Sequence, residues 1–192
     1  TIFIMRIVPL NLAVLALIPL MFGVSAVSAQ TNAQKNAPTN ESVPDVPDVI
    51  QVPAGEKVVL FVRGVGSQIY TCQEGKDHKL AWILKAPDAE LKDRNDKVIG
   101  QHFAGPSWKL KDSSEVTGKA TAKVDSLDPE SVPWLLVNVV NHSGNGLLSN
   151  VNFIQRLHTH GGEPPAEGCD QAHPGAETKS SYSADYYFYA PK

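Results

Sequence analysis

Hydrophobic and polar positions alternate most cleanly in "VTGKATAKV", Val116 to Val124. Val116, Gly118, Ala120, Ala122 and Val124 share one face, and Thr117, Lys119, Thr121 and Lys123 the other. That pattern predicts a strand with one side packed and one side wet. The packed side is built of small residues, so bulky neighbours have to cover it. Trp108 and Leu110 in "SWKLK" are placed to do so, across a turn at Asp112-Ser113-Ser114. "KVVLFVR", Lys57 to Arg63, is a β-branched run between Gly55 and Gly64 and predicts a strand buried on both faces. Gly64-Val65-Gly66 reads as a turn from which "SQIYTC" pairs back as a hairpin. "KLAWILK", Lys79 to Lys85, is a further strand, stopped by Pro87.

The second half continues in the same texture. "SLDPESVP" predicts one short helical turn. "WLLVNVV", Trp134 to Val140, is short and β-branched, which favours a strand over a buried helix. In "NVNFIQRLHTH", Val151, Phe153, Gln155, Leu157 and Thr159 share one face. Asn152, Ile154, Arg156, His158 and His160 share the other, more polar one. "DYYFY" is an aromatic strand near the C-terminus. Short strands separated by turn residues, with no long amphipathic helix, predict a mainly β fold. The expected form is a single antiparallel β-sandwich or barrel with irregular loops and at most short helical turns.

The first residues follow a different rule. Met5-Arg6 precedes the apolar run "LAVLALIPLMFGV", and small residues close it at Val27-Ser28-Ala29. This is the pattern of a secretory signal peptide over residues 1–29, with 1–4 as an upstream extension. Residues 30–51 contain no aromatic side chain and are rich in Asn, Pro, Thr and Gln. Such a segment buries too little apolar surface to offset its ordering entropy, so a flexible N-terminal arm is expected. Residues 52–192 then form a single β-rich domain.

Composition narrows the partners. The 192 residues carry 17 Lys and Arg against 20 Asp and Glu, a formal net charge of −3. No basic run or basic amphipathic helix is present, so the pattern offers nothing to nucleic acid or to an anionic membrane. Once the signal segment is cleaved, no stable membrane insertion is expected. The destination is secreted or periplasmic. Cys72 and Cys169 are the two cysteines, and in an oxidising compartment two thiols without a third competitor pair as a disulfide. Closing so long a loop is worth about 4.7 kcal/mol in the chain-entropy treatment.

Two constellations carry candidate chemistry. His158 and His160 form a His-x-His pair on a predicted strand, where alternate side chains lie about 6.5–7 Å apart on one face. Such a pair can hold zinc or copper if further ligands complete the shell, and Glu163, Asp170 and His173 are nearby in sequence. Arg156 on the same face opposes a cation. The second constellation is "GQHFAGPSW", Gly100 to Trp108. Its glycines and proline predict an irregular segment displaying His102, Phe103 and Trp108 as a ligand-facing loop. No Gly-x-Ser-x-Gly elbow and no complete phosphate loop is present. Asn40-Glu41-Ser42 and Asn141-His142-Ser143 match the N-glycosylation acceptor pattern.

"GVGSQIYTC", "GQHFAGPSW", "VPWLLVNVV", "SNVNFIQRL", "GGEPPAEGC" and "SADYYFY", in this order, resemble an uncharacterised family of exported proteins catalogued only as a domain of unknown function. The resemblance runs from about Val52 to Tyr189. It implies a single β-rich secreted domain with both cysteines inside shared motifs, and it carries no catalytic residue. The family pattern has Asn-Thr after the "IQRL" segment, where this chain has His158-Thr159-His160, which speaks against a shared metal role. The leading functional expectation is a non-enzymatic exported module that binds a small molecule or a glycan through His102, Phe103 and Trp108. The alternatives are a zinc- or copper-binding protein or metal-dependent enzyme using His158 and His160, and a structural or stress-related envelope protein.

Overall fold

In the computed structural model, which describes residues 42–192, the β-branched and alternating runs become eight antiparallel strands. They are β1 (Glu56–Glu74), β2 (Leu80–Lys92), β3 (Val98–Phe103), β4 (Ser107–Leu110), β5 (Glu115–Val124), β6 (Trp134–Ser143), β7 (Phe153–Gly161) and β8 (Glu177–Pro191). Each strand pairs with its neighbour in sequence, and β8 returns to β1, closing the sheet into an up-and-down barrel. Closure removes the exposed edges that an open sheet would leave. The expected signal segment, residues 1–29, lies outside the described residues, as do Asn40 and residues 30–41 of the arm. No helix among the described residues is long and apolar enough to cross a membrane.

The predicted Gly64-x-Gly66 turn is absent. β1 runs straight through both glycines, and residues 63–74 pair with β2 on one side while residues 56–71 pair with β8 on the other. The glycines serve close approach instead. A β-carbon at Gly64 would stand 2.7 Å from the Tyr186 ring, and one at Gly66 would collide with the β2 backbone at Asp88 and Ala89. Pro87 does not stop β2 either. It pairs with Gln68 of β1, but β2 pairs with β3 only from Ala89 onward. Pro87 therefore sits where β2 has a free side, the place a strand tolerates a residue without an N–H.

Two apolar clusters hold the fold. Inside the barrel, Val62, Leu91, Trp108, Val116, Ile154 and Phe188 are among the buried residues. Outside it, Val46 and Ile50 pack on Trp134, Leu136 and Leu157, with Ala122 and Val124 beside them. Ile50 ends a short 3₁₀ turn, Asp48–Ile50, and is fully buried; its burial contributes about 1.5–3 kcal/mol. Its carbonyl accepts from Gln155 Nε2 at 2.7 Å, and Gln155 Oε1 accepts from the Tyr189 hydroxyl. The folded body thus extends ahead of β1 to Val46.

Bulges decide which residues reach which cluster. β5 shifts register between Ala120 and Ala122, so Val116 and Gly118 face inward while Ala122 and Val124 join the outer cluster. Alternation in the sequence is unbroken there; the extra residue in the ladder flips the face. β7 shifts between Leu157 and His160, with His158 at φ 47°.

A disulfide closes the barrel wall. Cys72 and Cys169 are bonded across a sequence separation of 97, and Cys72 is fully buried at the end of β1. Around it, Cys72 N–H donates to Ala176 O, Gly175 N–H donates to Cys72 O, and Trp82 Nε1–H donates to Glu167 O at 3.0 Å. These bonds tie the 162–176 connection onto β1 and β2.

Candidate functional site

The strands differ greatly in length, and the difference opens the barrel. β3 and β4 have six and four residues, against nineteen in β1 and thirteen in β2. Their hairpin ends at Ala104-Gly105-Pro106, through a cis Gly105–Pro106 bond. Above that tip, residues 84–87 of β2 and 117–120 of β5 border one cavity of about 640 Å³. An eight-stranded barrel has an interior of the right scale for one small ligand, and this volume lies within the usual range of small-molecule sites.

The cavity floor is aromatic. His102 on β3 and Trp108 on β4 are cross-strand partners, and both are buried. They are not displayed on an irregular loop: the segment is a strand–turn–strand hairpin that turns both rings inward. Tyr186 meets both rings edge-on, at centroid distances of 5.2 Å and 5.7 Å. Gly118 lies opposite, and a β-carbon there would come within 3.2 Å of the Trp108 ring. The expectation that Trp108 packs over the small residues of β5 is met at this glycine. Phe103 is half-buried and borders a separate shallow depression with Val65 and Gly66.

Polar groups converge on the same floor. His102 Nδ1 lies 2.9 Å from Ser107 O, so Nδ1 carries the proton and Nε2 is left as an acceptor. Burial drives the His102 pKa down to about 3, against the favourable Ser107 carbonyl and with help from the Arg156 charge. The ring is therefore neutral at any ordinary pH. Tyr182 and Tyr186 share a hydrogen bond at 2.5 Å, and burial raises both hydroxyls above the usual range although the Arg156 charge opposes it. Tyr70 donates to Gly162 O, and burial pushes its pKa up to about 12.

Arg156 sits at the centre of these effects. Its Nε and Nη2 donate to Pro133 O at 3.1 Å and 2.7 Å, and the Tyr182 and Tyr186 hydroxyls also accept from it. Two buried polar atoms of the cavity lining have no hydrogen-bond partner: Gln68 Oε1 and Trp108 Nε1. Gln68 is 1% exposed and Trp108 2%. A depression of about 620 Å³ at the opposite end of the barrel is bordered by Lys57, His142 and Asn152. There His142 Nε2 already contacts Val151 O at 2.8 Å.

The two histidines of the proposed metal pair lie elsewhere. The positive φ at His158 turns its ring to the outer surface, against Trp134 and 3.0 Å from Asp185 Oδ2. His160 is exposed, and Asp170 and His173 pair with each other at 2.8 Å. Among the described residues no three His, Cys, Asp or Glu side chains gather where they could hold a metal ion.

Sequence reasoning brought forward His102 and Trp108 but missed Gln68, Arg156 and Tyr186. The sequence pattern makes the face of β7 that carries Ile154 and Arg156 the more polar one, yet it is the barrel interior. The usable signal was an arginine sharing a face with a fully buried isoleucine, since a charge is retained inside only with partners.

A family model described as Protein of unknown function (DUF3455) matches residues 53–190. No curated protein and no solved structure matches the chain.

Proposed function

Because the chain belongs to the family described as Protein of unknown function (DUF3455), the functional reading has to come from the cavity, and we propose that the protein is an exported module that binds a small organic molecule in the barrel mouth. The observation that carries this reading is the pair of orphaned polar atoms, Gln68 Oε1 and Trp108 Nε1, buried in the wall of one cavity. A buried polar atom without a partner costs about 1–3 kcal/mol. A bound molecule that donates to the glutamine and accepts from the indole removes that cost. The neutral state of His102 supports binding over acid–base chemistry, because its pKa of about 3 keeps it from exchanging protons near neutrality. Export to a secreted or periplasmic destination is supported by the Cys72–Cys169 disulfide and by the signal-like pattern of residues 1–29.

A thermal-shift and tryptophan-fluorescence screen of small molecules tests the reading. It compares the wild-type chain with Ala120→Trp, which plugs the mouth from an exposed position. Compounds that stabilise the wild type and lose their effect on the plugged variant are expected. Hits that act equally on both, or a screen without hits, overturn it.

A further inference from the structure

We propose that the molecule held in this cavity is an organic carboxylate with an apolar body, its carboxylate seated on Arg156. This rests on the reading of the cavity as a binding site and adds the chemical class of its occupant.

Charge argues first. Arg156, Lys85 and Lys119 line the cavity, and no aspartate or glutamate does. Glu163, which acts on Tyr70, is not among the lining residues. At the rim Lys85 is already paired with Glu177 and Lys119 is exposed, where solvent screens it, so the field inside is dominated by a single guanidinium. A half-enclosed pocket of one sign focuses its potential on a ligand of the other. One fixed cation matches one carboxylate better than a doubly charged phosphate.

Donor geometry argues next. The guanidinium has five N–H donors in a planar fork; Pro133 O engages Nε and Nη2, and the Tyr182 and Tyr186 hydroxyls accept from it as well. Its charge is balanced by no carboxylate of the lining, and the orphaned Trp108 indole N–H seeks an acceptor. The protein thus offers donors and positive charge where an anion's oxygens would lie. The remaining wall is apolar, built from Leu84, Pro87, Pro106, Leu135 and Val137. Two stacked rings, His102 and Trp108, close the bottom. An acid with an aromatic body that also carries a hydroxyl satisfies the lining, the hydroxyl donating to the orphaned Gln68 Oε1.

The test compares 6-hydroxy-2-naphthoate with 6-hydroxy-2-naphthamide, which match in shape, both carry a hydroxyl donor and differ in charge, by calorimetry on the purified chain. The acid is expected to bind at least about 10-fold tighter, the scale of a charge-assisted hydrogen bond. Raising the salt concentration is expected to weaken the acid and leave the amide unchanged, a comparison that needs no variant. Arg156→Gln is expected to bring the acid down to the affinity of the amide while amide binding persists, which also shows that the variant is folded. Equal binding of acid and amide by the wild type overturns the carboxylate and leaves the binding module standing. Binding of neither compound at millimolar concentration overturns both.

Discussion

His102 and Trp108 lie face to face across β3 and β4, their ring centroids 4.4 Å apart and their planes within 10°. The hairpin that carries them is the shortest in the barrel, and its shortness is what opens the wall above. One local feature therefore builds the floor of the cavity and its entrance.

The stacked imidazole makes stability depend on pH. His102 stays neutral in the fold down to about pH 3, whereas its ordinary value is 6.5. The unfolded chain takes up that proton first, so the contribution is complete above pH 6.5 and is lost as pH falls from 6.5 toward 3. The slope is about 1.4 kcal/mol per pH unit. Tyr186, which meets the ring edge-on, is raised by burial well above its ordinary value and does not titrate in that window. Unfolding free energies at pH 6.5 and pH 4.5, from denaturant titrations, should fall further apart for the wild type than for His102→Gln, by about 2–3 kcal/mol. Equal losses in the two proteins would contradict a buried neutral ring.

Trp108→Phe separates stability from binding. The substitution deletes the unpartnered Nε1–H and keeps an aromatic ring on the His102 face. Loss of packing and relief of the orphaned donor oppose each other, each at about 1–3 kcal/mol. The melting temperature should therefore change little, while any ligand that accepts from the indole binds about 10-fold more weakly. A variant that melts far lower but binds normally would assign Trp108 to packing alone.

Removing the disulfide loosens one connection more than the barrel. Cys72→Ser with Cys169→Ser is expected to cost about 2–5 kcal/mol. The fastest gain in hydrogen exchange should appear in residues 162–176, whose backbone bonds to Cys72 flank the link. Unchanged stability under reducing conditions would mean that the backbone bonds and Trp82 suffice.

The segment ahead of β1 is tested by Ile50→Ala. Emptying a fully buried isoleucine site costs about 2–5 kcal/mol. Since the site lies in the outer cluster, binding in the cavity should be unaffected. A loss of affinity would show that the outer cluster and the mouth are coupled.

How far this was legible in the sequence follows from the same residues. Strand identity was visible wherever one period ran without interruption, as at Val116 to Gly118 or through the aromatic C-terminal strand. Face assignment failed at the bulges, because one extra residue exchanges inside for outside. Ala122, Val124 and His158 all lie past such a point. Gly64 and Gly66 were misread because a glycine needed for the Tyr186 ring looks the same in sequence as one needed for a turn. The burial of Ile50 depends on an outer surface of β6 and β7 that exists only once the barrel has closed. The disulfide was readable from the cysteine number together with the signal-like start of the chain. The cavity was not, since it arises from a mismatch in strand lengths that no single segment records.

The indole N–H resonances offer the sharpest reading of the central claim. Trp82 Nε1–H is bound to Glu167 O, Trp134 Nε1–H is unpartnered in the outer cluster, and Trp108 Nε1–H is unpartnered in the cavity. In a ¹⁵N–¹H titration with 6-hydroxy-2-naphthoate, the Trp108 indole signal should move downfield as it gains an acceptor, while those of Trp82 and Trp134 stay in place. Saturating ligand that leaves Trp108 still, or moves Trp134 or Trp82 in its stead, would contradict a binding site in the barrel mouth.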